Sequence, residues 1–320
     1  MRHSFPRNRL ACVLCAAVLA GCEKGPEGLS SLTVGIVSGG ADTRIEGRAS
    51  SYEDDVLTVQ LFVFDSHGSL EAEDYFTSCS GSLQVSDGAK TVYALVNSGR
   101  IDGPASADAL LRTVSKLQEN TTDRLVMVGS DSTTINGDTS VTIRVRRLVS
   151  KIELGEIAVD FAYGPAGGIT INSLYLTNVN SSTTLGGTGA ADPSEWFNRM
   201  GFESSACDGI LFDSIGCTLA DKGSYKVAHS FYAYPNSTAE DTHGGDVFCA
   251  RFTRLVIDTS LGYYHIDFPE LLPNKAYIIE KVTIKGPGGD TPEEHVERGT
   301  CSFVIKVKDW DTGTSVTEII

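Results

Sequence analysis

From about residue 30 onward the chain runs in short stretches where apolar and polar residues alternate with a period of two. This alternation predicts β-strands, because successive side chains of a strand point to opposite faces. A strand is predicted over residues 31–37, with Leu32, Val34 and Ile36 on one face. Residues 56–64 are rich in β-branched and aromatic side chains and run into the turn Asp65-Ser-His-Gly68. Residues 90–97 are apolar on both faces, as expected of a central strand. Further strands are predicted over residues 125–128, 140–145, 148–154, 169–176, 251–258, 263–268, 276–284 and 302–307, with another ending at the Pro-Asn turn of residues 231–236. Phe62 with Phe64, and Tyr232 with Tyr234, share strand faces and are read as core. One segment breaks the period. Residues 106–119 carry Leu110, Val114 and Leu117 at helical spacing, Ser106 as a cap and Asp108 in the first turn, which predicts a short helix.

Short strands separated by turns predict a mostly β fold built from β-sandwiches, with one short helix in the N-terminal half. A chain of 320 residues favours two such domains, here 45–150 and 151–320, with the boundary near residues 146–155.

The first residues follow other rules. Arg2, Arg7 and Arg9 precede an unbroken apolar run from Leu10 to Ala20, the length of a signal-peptide core and too short to span a bilayer. The run ends in Leu19-Ala-Gly-Cys22, which resembles the lipobox of bacterial lipoproteins. That resemblance implies a signal peptide over 1–21, a lipidated Cys22 and attachment to the outer membrane through lipid, since two or more acyl chains anchor stably. Residues 38–48 are small, polar and glycine-rich around Arg44 and Arg48, a composition that fits a protease cleft.

Net charge is −15, so nucleic acid is excluded as a partner. Of the eight cysteines, Cys12 and Cys15 lie in the signal segment and Cys22 is the lipid candidate; the remaining five include none in a C-x-x-C or C-x-x-H spacing, and no EF-hand loop is present, so no metal is expected. Cys207 and Cys217 are neighbours in sequence and could close a short disulfide loop outside the cytoplasm. No H-E-x-x-H or G-x-S-x-G motif occurs, and the histidines are scattered. Neither an enzymatic activity nor a cofactor is expected.

The order of segments then matters. After the lipobox and the first strand come Val59-Gln-Leu-Phe-Val-Phe-Asp65, Tyr93-Ala-Leu-Val-Asn97 and Arg147-Leu-Val-Ser-Lys-Ile152. Phe231-Tyr-Ala-Tyr-Pro-Asn236, Leu272-Pro-Asn-Lys-Ala-Tyr277 and Val307-Lys-Asp-Trp310 follow. Together these resemble the fimbrillins, lipoprotein subunits of the type V pilus, over nearly the whole chain. The resemblance implies two transthyretin-like β-sandwich domains and export to the cell surface. It also implies a lipidated pro-segment (22–44) whose strand, with Leu32, Val34 and Ile36, fills a groove until an arginine-specific protease cuts after Arg44, with Arg48 as the fallback. The vacated groove would then accept a strand from another pilus subunit by donor-strand exchange, serving adhesion in a fimbrium. The donor candidate, residues 310–320, has a thin apolar pattern, with Glu318 on the face of Val316 and Ile320. Two alternatives stay open: a pilus anchor that keeps its lipid, and a surface lipoprotein that binds glycan or another ligand.

Overall fold

The computed structural model describes residues 28–39, 52–162, 164–165, 167–187, 195–203, 207–238, 241, 250–296, 299–310 and 315–319. The first half of the chain forms β1 (Leu29–Ser38), β2 (Val59–Phe64), β3 (Leu70–Phe76), β4 (Ser80–Ser86) and β5 (Gly88–Val96). Helix α1 (Ala107–Leu111), strand β6 (Val114–Lys116), and strands β7 (Met127–Ile135) and β8 (Thr139–Arg147) follow. Seven of these strands hydrogen-bond in the order β3-β2-β5-β7-β8-β1-β4. The sheet folds over a core that includes Leu32, Val34, Ile36, Val59, Leu61, Leu83, Val92 and Ile143. β2 is buried on both faces. Val59, Leu61 and Val63 point into this first core, and Phe62 and Phe64 into a second.

The second half forms β9 (Ser150–Val159), β10 (Ile169–Thr177), β11 (Val179–Asn180), β12 (Ser182–Thr184), β13 (Trp196–Phe197), α2 (Asp208–Leu211), β14 (Phe212–Leu219), β15 (Ser224–Tyr225) and β16 (His229–Ala233). It continues through β17 (Asn236–Ser237), β18 (Thr253–Thr259), β19 (Gly262–Phe268), β20 (Glu270–Leu271), β21 (Lys275–Ile284), β22 (Cys301–Asp309) and β23 (Ser315–Ile319). One sheet runs β14-β10-β18-β19. In the other, β15 and β16 pair with one edge of β9, and β21, β22 and β23 follow from its opposite edge. Ile152, Leu154, Ile171, Leu174, Leu255, Ile257, Ile279 and Ile305 from these two sheets meet in the second core, so they form a sandwich. The protein is a mostly β sandwich fold, as the alternation predicts. Tyr232 and Tyr234 are core residues.

The predicted helix over residues 106–119 is the main departure. Ser106 caps α1 as expected, its Oγ accepting from Ala109 N at 3.1 Å, but the helix stops after Leu111. Val114 is exposed and belongs to β6, which pairs with β12 across the molecule. Leu117 N donates to Ser181 O at 2.8 Å. A tertiary strand partner satisfies this backbone better than two more helical turns with one thin apolar stripe. Among the described residues, no helix is long and apolar enough to cross a membrane.

Candidate functional site

β1 is not an edge strand. On one side it runs antiparallel to β4, from Leu29↔Ser86 to Gly35↔Ser80, and on the other parallel to β8, from Leu32↔Thr139 to Ser38↔Val145. Leu32 and Val34 are fully buried and Ile36 nearly so. Thr33 and Val37 face solvent, as period-two alternation requires. Polar contacts hold the start of the strand. Ser30 Oγ donates to Asp87 at 2.7 Å, and Ser31 N donates to Asp138 at 2.9 Å. The Ser30 hydroxyl, and then the Gly137 N–H, draw the Asp87 carboxyl below its ordinary range. Taking β1 away would uncover the apolar lining of the first core and the unpaired backbone of both β4 and β8. Burying Leu32, Val34 and Ile36 contributes about 1.5–3 kcal/mol each, and each ladder hydrogen bond about 0.5–1.5 kcal/mol net. The slot therefore strongly favours being filled.

The far end of β1 meets a buried charged junction. Ser38 Oγ donates to Asp54 O at 2.5 Å. Gly39 follows with φ +28°, where a Cβ would lie 2.5 Å from Asp54 Oδ1 and 2.7 Å from Arg147 Nη2, so no larger residue fits without displacing that ion pair. The Arg147 guanidinium is fully buried and pairs with Asp54. It also donates to Glu53 O at 3.2 Å and to Asn274 Oδ1 at 3.3 Å, and lies 4.4 Å from the centre of the Trp310 ring. Lys151 Nζ, also fully buried, sits 3.1 Å from Glu53 and 3.0 Å from Glu153. Tyr232 donates to Glu53 at 2.6 Å and stacks on Trp310 at 6.1 Å. Burial first, then the charges of Asp54 and Asp123, hold the nearby Asp55 carboxyl above its usual range. Four segments far apart in sequence converge here, through Arg147 with Lys151, Tyr232, Asn274 and Trp310. Each lies in a motif that carries the family resemblance.

A second ionic cluster ties the loop after β21 to β18 and β19. Arg254 pairs with Asp241 and Glu293, and its Nε lies 2.7 Å from Asp267. His265 Nδ1 lies 2.8 Å from the same Asp267 oxygen. Burial works against the Asp267 charge, but the hydrogen bond and charge of His265 and those of Arg254 outweigh it and bring its pKa to about 2.

Cys22, Arg44 and Arg48 lie outside the described residues. Cys207 and Cys217 are thiols, so the disulfide considered from their spacing is not formed in this structure. Cys207 stays one turn from Leu211, whose N–H it accepts at 3.0 Å. Burial pushes the Cys207 thiol up to about 12. In the donor candidate, Trp310 is buried in the junction, while among the described residues β23 pairs with β22, from Ile305↔Ile319 to Lys308↔Ser315. Sequence reasoning missed Glu53 and Asp54, two acidic residues among several near the end of β1.

No protein-family model and no curated protein matches the sequence. Solved structures do. A fimbrilin from Porphyromonas gingivalis W83 superposes with TM-score 0.61 and 14% identity, over 88% of this chain and 98% of that one. The chain has the fimbrilin fold. A candidate cell adhesion protein from Bacteroides eggerthii shares the fimbrilin fold with this chain at TM-score 0.67 and 18% identity, over 89% of this chain and 97% of the other. The tip fimbrial protein Mfa3 from Porphyromonas gingivalis, with a C-terminal truncation, gives TM-score 0.56 and 12% identity over 88% and 100%. In this example of the fimbrilin fold, β1 fills the slot between β4 and β8 from within its own chain.

Proposed function

We propose that the chain is a structural, non-catalytic subunit of a cell-surface fimbria, assembled by strand exchange and serving adhesion. The observation that carries this reading is β1 itself. It is an N-terminal strand paired on both sides and buried through Leu32, Val34 and Ile36, yet joined to β2 through a stretch containing Arg44 and Arg48. The fimbrilin fold of the whole supports it. On this reading residues 1–21 direct export, Cys22 carries lipid to the outer membrane, and an arginine-specific protease cuts after Arg44. Two domains divide near residue 150. β1 then leaves, and the slot takes an extended segment of another subunit, gaining main-chain hydrogen bonds and pockets for alternate side chains. The donor is residues 311–320 rather than 310–320, because Trp310 is locked under Arg147 and beside Tyr232.

N-terminal sequencing of the surface-exposed protein tests processing. A start at Ile45 is expected. A single form starting at lipid-modified Cys22 overturns processing and makes the chain an anchor or a surface receptor. Purified protein trimmed at Arg44 is expected to form SDS-resistant ladders, and a trimmed protein that stays monomeric refutes polymerisation.

A further inference from the structure

Strand exchange at the β1 slot makes no use of the buried amine in the charged junction, a lysine held between two carboxylates. Lys151 and Glu153 stand two residues apart on β9, so their side chains leave the same face of the strand. Tyr232 of β16 lies directly opposite Lys151. A turn closed by Asp55 N donating to Tyr52 O at 3.1 Å presents Glu53 to this pair. Lys151 Nζ is 3.1 Å from Glu53 Oε1, 3.3 Å from Glu53 Oε2 and 3.0 Å from Glu153 Oε2. The Glu53 carboxyl carbon is thus no more than one C–O bond beyond oxygens that already touch the amine. Tyr232 Oη donates to Glu53 Oε1 at 2.6 Å. The Lys151 and Glu153 side chains are 0% exposed and that of Glu53 is 6% exposed, which keeps bulk water away. Trp310 walls the site, with its ring centre 5.8 Å from Lys151 Nζ.

We propose that Lys151 and Glu53 join in an intramolecular isopeptide bond, with Glu153 relaying a proton. An ammonium beside two carboxylates is costly to keep charged in so dry a site, and burial favours the neutral amine and the neutral acid. Passing one proton from Lys151 Nζ to Glu53 Oε2 produces both. The amine lone pair then attacks Glu53 Cδ, and a C–N bond forms. Negative charge builds on Oε1, where the Tyr232 hydroxyl already donates. Glu153 takes a second proton from Nζ and hands it to Oε2. The Cδ–Oε2 bond breaks and one water leaves. Nζ keeps its third proton as the amide N–H. Nothing is oxidised or reduced, and no co-reactant is required. Two groups fixed at contact distance reach an effective concentration of about 10⁵ M, far above that of free amines and acids. The bond closes a loop that contains β2 to β8, so it ties the segment after β1 to β9 with or without β1 in place. It forms on folding and does not depend on proteolytic processing or polymerisation.

Mass spectrometry of the purified full chain tests the bond. The folded wild type is expected to weigh one water less than its composition requires. A proteolytic digest is expected to yield a branched peptide that joins the segment of Glu53 to the segment of Lys151. Lys151→Arg keeps the positive charge but offers no amine to attack, and Glu153→Gln keeps the shape but relays no proton. Both are expected to show the full mass and no branched peptide. In a refolding time course followed by mass, Tyr232→Phe is expected to slow the loss of water about a hundredfold, the effect of removing one oxyanion donor. The wild-type digest decides the matter even where a variant does not fold. The proposal is overturned by a folded wild type that keeps its full mass on prolonged incubation, by a lost water that maps to another pair of residues, or by a loss that persists in Lys151→Arg.

Discussion

Leu32→Ala is the sharpest probe of the β1 slot. Leu32 is 0% exposed, packs in the first core, and pairs on both sides, with Leu83 of β4 and Thr139 of β8. Truncating a fully buried leucine removes its transfer free energy and leaves a cavity, at a cost of about 2–5 kcal/mol. Two readouts follow from the same loss. In the intact chain, urea unfolding shifts by that amount. In a chain cut once between β1 and β2, with a protease site engineered into residues 40–51, the fragment carrying β1 dissociates faster. At about 1.4 kcal/mol per decade the acceleration is roughly 30-fold to several thousand-fold, to the extent that the contact is lost in the transition state for release. Fragment release is followed by size-exclusion chromatography and mass spectrometry. Thr33→Ala on the exposed face is the control and changes stability by only about 0.5 kcal/mol. The reasoning fails where Leu32→Ala behaves like Thr33→Ala, or where unfolding shifts but release of the cut strand does not.

Arg147→Ala is expected to lower stability by about 3–5 kcal/mol in thermal unfolding, because Glu53 O and Asn274 Oδ1 each lose a donor in a buried site. Arg147→Lys keeps the charge but not the planar fork and recovers only part of this. Gly39→Ala is expected to cost about 1–3 kcal/mol by pressing on the Asp54–Arg147 pair, measured in the same way. Asp267 has a depressed folded pKa, so its stabilisation is complete above the ordinary carboxylate pKa near 3.8 and is lost as pH falls from about 4 to 2. That contribution is about 2 kcal/mol. Asp267→Asn should be less stable than the wild type at pH 7 and show a flatter stability profile over that window by calorimetry.

Strands that carry their own apolar period were legible. β1, β8 and β10 could be placed from side-chain alternation and β5 from its run of apolar residues on both faces, because one or both faces are buried. β3 and β4 were not. β4 reads Ser-Gly-Ser-Leu-Gln-Val-Ser and buries only Leu83 and Val85, so its strand character comes from pairing with β1 rather than from its own residues. β6 was misread for the same reason, since its partner β12 lies 66 to 70 residues further along the chain. The charged junction was hidden because Arg147, Lys151 and Glu153 look like exposed polar positions until β9 is covered on both faces. Asn97 and Asn274 recur in the motifs for a reason the sequence does not state. Both take positive φ, and their side chains cross-link distant backbone, Asn97 to Leu57 N and Leu125 O and Asn274 to Arg147 N. Trp196 and Phe197 gave no period, being two adjacent aromatics after a glycine-rich loop.

The unequal flanks of β1 have a further consequence. With one neighbour running the same way and the other the opposite way, the space it occupies has a built-in direction. A replacement segment entering backwards would exchange the two ladder geometries and disturb the hydrogen-bond spacing on both sides. Any series of such molecules joined through this place would inherit one heading from end to end, so that its leading and trailing extremities differ chemically before any outer surface has made contact.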